Sequence, residues 1–161
     1  MARTLVAGFG NVLRGDDGFG VAVLHRLAES GVPDGVELLE VGTGGIRLAQ
    51  ELLGGYQRLV IVDAMTRGGR PGSVYVLTVD SVDPITEVDM HMAVPSQALA
   101  LARALGALPA RVFMVGCEPS AVDELTMEMS PDVRGAVEPA LARVRELLAA
   151  PVTALVTAEL P

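Results

Sequence analysis

The chain has 161 residues, half of them hydrophobic, with 12 basic residues against 20 acidic ones and a formal charge of −8. That length suits one domain with a sizeable core. The acidic balance, the absence of lysine and a 3% aromatic content without Trp leave little material for phosphate neutralisation or base stacking, so nucleic acid is not an expected partner. No apolar run approaches the roughly 18 residues needed to span a bilayer, and "MARTLVAGFG" lacks the parts of a secretory leader, so a soluble cytoplasmic protein with no membrane partner is expected.

In chain order, "RTLVAGF" reads as a first strand, followed by a Gly/Asp loop and by "FGVAVLHRLAES", whose apolar residues recur at helical spacing up to Gly31. "VELLEV" is a second strand, "TGGIRLAQELLGG" a short helix, and "RLVIVDA" a third strand with a nearly continuous apolar run. "AMTRGGRPG" is too short for a helical crossover, so the next strand, "SVYVLTV", is expected to be antiparallel or an edge. A loop through residues 80–93 precedes the helix "VPSQALALARALG" and the strand "RVFMVGC". The last helix, "SPDVRGAVEPALARVRELLAA", has Ser130 as N-cap and Pro131 at its first position, and Pro139 should kink or divide it. The expectation is one α/β domain over residues 1–150. It is a three-layer sandwich with a mostly parallel sheet of about five strands, one of them antiparallel, and helices on both faces; the tail 151–161 stays unassigned.

The stretch "GFGNVLRGDDGFG" (8–20) poses the functional question. Its glycines suggest a phosphate-cradling loop, but Gly8-x-Gly10 is followed by Leu13 where the dinucleotide fingerprint has its third glycine, and no P-loop Gly-Lys-Ser/Thr ending exists. Asp16 and Asp17 would oppose a pyrophosphate, so the loop is better suited to a cation, and a nucleotide-binding α/β protein is the weaker alternative. One aspartate is able to N-cap the following helix; two adjacent ones leave a spare carboxylate at the end of the first strand.

Asp63 ends the third strand, where open α/β sheets line their ligand crevice, although a buried aspartate accepting main-chain N–H bonds fits the position too. Of the two histidines, His25 falls mid-helix, to pack or face solvent, while His91 falls in a loop between Met90 and Met92 and is the ligand candidate. Two carboxylates and an imidazole make a mixed oxygen and nitrogen set suited to nickel, zinc or another first-row divalent ion. Cys117 follows an apolar run and precedes Glu118, which favours a buried thiol over a nucleophile.

At these residues the chain resembles the hydrogenase maturation proteases, endopeptidases that remove a short C-terminal extension from the large subunit of nickel-iron hydrogenases. The resemblance spans about residues 3–148. It rests on "GFGNVLRGDDGFG", "VGTGG" (41–45), "LVIVDA", His91 eight residues before Leu99 in "HMAVPSQAL", "LPARVFMVGCEP" (108–119) and "SPDVRGAVEPAL". It implies a triad of Asp17, Asp63 and His91, both catalytic and metal-binding, the first acid aligning to Asp17 rather than Asp16. It also implies a large-subunit precursor as partner and nickel, carried by that precursor, as the recognition signal; the isolated protein could hold another divalent metal.

The mechanism stays open between metal-assisted hydrolysis and a carboxylate pair acting as base and acid. There is no His-Glu-x-x-His motif and no evident Ser or Cys triad. Gly42, Thr43, Gly44 and Gly45 form either a backbone-exposed loop that pairs with an extended peptide substrate or a tight turn in which Thr43 caps the next helix. A non-cleaving, metal-sensing chaperone of hydrogenase assembly is the alternative to an enzyme.

Overall fold

The apolar runs that open and centre the sequence become the middle of one sheet. In the computed structural model, which describes residues 2–80, 82, 95–120 and 125–152, β1 (Thr4–Phe9) is buried along its whole length. It lies between β2 (Val36–Gly42) and β3 (Arg58–Ala64), parallel to both. β5 (Arg111–Cys117) continues the parallel set beside β3, and β4 (Val74–Thr78) closes the edge antiparallel to β5, giving the order β2-β1-β3-β5-β4. The short link after β3 explains that reversal, because a chain with no room for a helical crossover must return antiparallel.

Alternation along the strands divides the core into two layers. Val6, Val60, Val62, Phe113 and Val115 pack beneath α1 (Phe19–Ser30) and α4 (Pro131–Ala149). Leu5, Ala7, Leu59, Ile61 and Val112 face α2 (Gly45–Leu52) and α3 (Pro95–Ala104) on the other side. The three-layer expectation therefore holds, and the elements fall where the periodicities put them.

α4 departs from expectation, running unbroken through Pro139. An interior proline costs about 3 kcal/mol, but α4 buries Val133, Ala136, Ala140, Leu141, Val144, Leu147 and Leu148 along one face, and both its ends are tied. Its last carbonyls are met by Arg58, a residue only 5% exposed. Arg58 donates from Nη1 to Leu147 O (2.7 Å) and Ala150 O (2.6 Å), from Nη2 to Leu148 O (3.2 Å), and from Nε to Thr4 Oγ1 (3.0 Å). One buried cation thus serves the orphan acceptors of a helix end and complements its dipole.

Among the described residues no helix is long and apolar enough to cross a membrane.

Candidate active site

The glycines of the 8–20 stretch serve close packing. A Cβ on Gly20 would stand 2.2 Å from Val62 O and 2.4 Å from Phe9 O, so only glycine lets the start of α1 rest on the ends of β1 and β3. Gly10 combines a φ of +121° with main chain of Asp17 1.8 Å from where its Cβ would be. The loop is thereby folded tightly over the carboxyl edge of the sheet, and its 3-10 turn, Gly15–Gly18, packs against β3.

That turn sends its two aspartates to different tasks. Asp16 is 1% exposed, and its carboxylate accepts from Ser120 N (2.8 Å), Ser130 N (2.6 Å) and Ser130 Oγ (2.9 Å). It binds the segment after β5 and the start of α4 to the first loop. Ser130 is the N-cap residue of α4, with Pro131 next to it as expected, but its hydroxyl serves Asp16 rather than its own helix. Neither aspartate caps α1, whose N-cap is Gly18 without a side-chain bond.

Asp17 is half-buried and is held by Asn11, whose main-chain N–H donates to Asp17 Oδ2 (2.9 Å) while its Oδ1 accepts from Leu13 N (2.9 Å). Asp63, at the end of β3, is the group that Asp17 acts upon. Burial, followed by the charge of Asp17, pushes the Asp63 carboxyl up to about 7, against a smaller opposing effect of the Ala64 main-chain N–H. Two carboxyl groups near enough to influence one another, one pushed up toward neutrality, can exchange protons with a substrate or share a divalent cation.

His91, the third sequence candidate, lies outside the described residues. Among the described residues no three His, Cys, Asp or Glu side chains cluster in a way that could hold a metal ion. His25 lies away from this rim, exposed on α1 with Nε2 3.0 Å from Glu40 Oε2. Cys117 is buried at the end of β5, its thiol raised to about 11 by burial and, secondarily, by Asp16, as suits an inert thiol.

Gly42 and Gly44 face open space, and Gly42 O accepts from Gly10 N (2.8 Å), which sets the 42–45 loop beside the first one. The N-cap of α2 is Gly44 with no side-chain bond, so Thr43 does not cap it.

Two features of the rim escaped the sequence reading. Glu118, 3% exposed, directs both carboxylate oxygens at Arg67 N (3.1 and 2.9 Å) and accepts from Gly69 N at 2.5 Å. Its own main chain bonds Gly72 N and Ser73 O. It thereby fixes the 65–72 loop that leaves Asp63. A cavity of about 420 Å³ also opens beside Asp63, walled chiefly by Met65, Val79, Val82, Leu99 and Met114. Its lining comes from segments far apart in sequence, so no motif announced it; Glu118 was legible only as an acid after a buried strand.

The structure thus places an acid pair on the carboxyl edge of a mostly parallel sheet in a three-layer α/β fold. The family model described as "Hydrogenase maturation protease" (HycI) matches residues 21–147. The hydrogenase expression/formation protein HupD of Rhodobacter capsulatus is 34% identical over 152 residues, covering 91% of this chain and 72% of that protein. The hydrogenase 2 maturation protease of Escherichia coli strain K12 is 30% identical, with 88% of each chain covered. The solved structure of the hydrogenase maturating endopeptidase HybD from Escherichia coli superposes with a TM-score of 0.75 at 30% identity, covering 91% of both chains. The chain belongs to the hydrogenase maturation protease family, and it is a peptidase.

Proposed function

We propose that the protein removes the C-terminal extension of a nickel-iron hydrogenase large-subunit precursor after nickel insertion, using the precursor's nickel as the signal for docking. The observation that carries this reading is the Asp17–Asp63 pair at the carboxyl edge, in a chain whose relatives are named for hydrogenase maturation.

The donor set fits a divalent ion. A cation shared by the two carboxylates would offset the charge of Asp17 that opposes ionisation of Asp63, and His91 supplies a borderline imidazole suited to nickel. A bound metal would polarise a carbonyl or acidify water. The chain's own contribution is to hold Asp17 through the Asn11 N–H and to keep a proton available on Asp63 near neutral pH. The peptide would run beside Gly42, Thr43, Gly44 and Gly45, where open space at Gly42 and Gly44 and the lack of a side-chain cap on α2 support pairing with main-chain groups. Reaction in the cytoplasm, where precursors are assembled, belongs to the same reading.

The test is intact-mass analysis of a large-subunit precursor incubated with the protein, with and without nickel, beside the Asp17→Asn variant. Loss of a C-terminal peptide that requires both nickel and Asp17 supports the reading. Unchanged mass with nickel-loaded precursor refutes it.

A further inference from the structure

The cavity beside Asp63 has a chemistry that the acid pair alone does not explain. Its wall is formed where the end of β3 and the residues following it (Ala64, Met65, Thr66) meet Val79 after β4, Met114 of β5 and the start of α3 at Pro95, Ser96 and Leu99. Strand parity places it on the α2/α3 side of the sheet: Leu59 and Ile61, which share a face with Asp63, pack in that layer together with Leu99 and Met114. Met65 fills the space over Gly116, where a Cβ would come within 2.9 Å of it, so the floor of the cavity is sulfur and aliphatic carbon. Among the described residues, Asp63 is the one ionisable group in the lining.

We infer that this cavity is the specificity pocket of the protease, receiving an uncharged apolar side chain of the substrate peptide next to the bond that is cut. The inference rests on the proposed function above and adds to it the chemical class of residue selected. A peptidase must hold the peptide on both sides of its reacting groups. A concave apolar site whose wall includes one of those groups receives the side chain neighbouring the scissile bond. Its volume of about 420 Å³ admits a large side chain. Among the described residues its walls offer no basic group to meet an acidic residue. A lysine would have to engage Asp63, the carboxyl already committed to the reaction, and would otherwise lie desolvated without a partner.

The experiment uses the full chain with a nickel-loaded large-subunit precursor. Intact mass first locates the junction, and the residues on its two sides are then changed singly to Ala, Leu, Asp and Lys. At one of the two positions Leu should support processing while Asp and Lys lower kcat/KM by about tenfold or more. Val79, partly exposed at the rim and outside the acid pair, provides the second arm. Val79→Phe narrows the cavity and should shift preference at that same position from Leu toward Ala. Continued cleavage of the Ala precursor shows that the variant is folded.

Equal processing of charged and apolar residues at both positions overturns the pocket, as does a Val79→Phe profile identical to the parent's, while cleavage itself persists. Absence of nickel-dependent cleavage of the unmodified precursor overturns the proposed function and the pocket with it.

Discussion

At the end of β3 the partly buried Asp63 carboxyl is pushed up to about 7 by desolvation and, after it, by the charge of Asp17. Its pKa rises on folding from the ordinary carboxylate range to about 7, so the folded state binds the extra proton between those limits and stability contributed by this group is lost as pH climbs through them. At about 1.4 kcal/mol per pH unit the effect reaches a few kcal/mol at most. The Asp63→Asn variant has no such proton to lose, so it should gain stability relative to the parent between about pH 5 and about pH 8. Urea denaturation at both pH values measures the difference; a gap that does not widen with pH contradicts the assignment. Divalent-metal affinity should rise over the same range, since the cation must displace that proton.

Asp16 and Asp17 should separate stability from activity. Asp16→Ala leaves the N–H groups of Ser120 and Ser130 without their buried acceptor and should cost about 3 kcal/mol. Asp17→Asn removes the charge that opposes ionisation of Asp63, so its thermal midpoint should stay at or above the parent's while processing is lost. Paired melting curves and precursor cleavage assays check both; a destabilised Asp17→Asn protein would make Asp17 a structural residue.

Arg58 lies at the opposite end of β3 from the acids, and its replacement should act on folding alone. Arg58→Leu leaves the carbonyls of Leu147, Leu148 and Ala150 without their donor and should cost about 3 kcal/mol. Processing per folded molecule should be unchanged. Denaturant titration and a kinetic assay at low temperature read the two quantities separately.

Glu118 positions the loop that follows Asp63. Glu118→Ala should release the N–H groups of Arg67 and Gly69 and speed trypsin cleavage after Arg67. It should also reduce kcat through a less fixed Asp63. Glu118→Gln keeps an acceptor oxygen and should restore most of both. Tryptic rates that match across parent, Ala and Gln proteins would show that the loop is held by other contacts.

The sheet was legible because burial on two faces writes nearly continuous apolar strands, and β4 was readable as an edge from the length of the link before it. The acids were legible because charges at the ends of such strands are conspicuous. What escaped depends on partners distant in sequence. Which aspartate of the Asp16–Asp17 pair turns inward is decided by Ser120 and Ser130. Pro139 looked like a helix breaker because the tie from Arg58 to the end of α4 joins residues about ninety positions apart. Thr43 looked like a cap because the pattern of turn residues does not reveal that α2 begins a residue later, behind Gly44. His91, chosen as a ligand from its loop position and from the family resemblance, lies outside the described residues.

The bonds from Asp16 to residues 104 and 114 positions later also order events in time. On the ribosome, β1, the first loop and β3 emerge long before Ser120 and Ser130, and until then the Asp16 carboxylate lacks the two main-chain donors that hold it in the finished fold. The acid pair therefore acquires its fixed setting only once the segment leading into α4 has been made and docked. A nascent chain halted before that point carries Asp17 and Asp63 without the Asp16 clamp that joins the first loop to the start of α4.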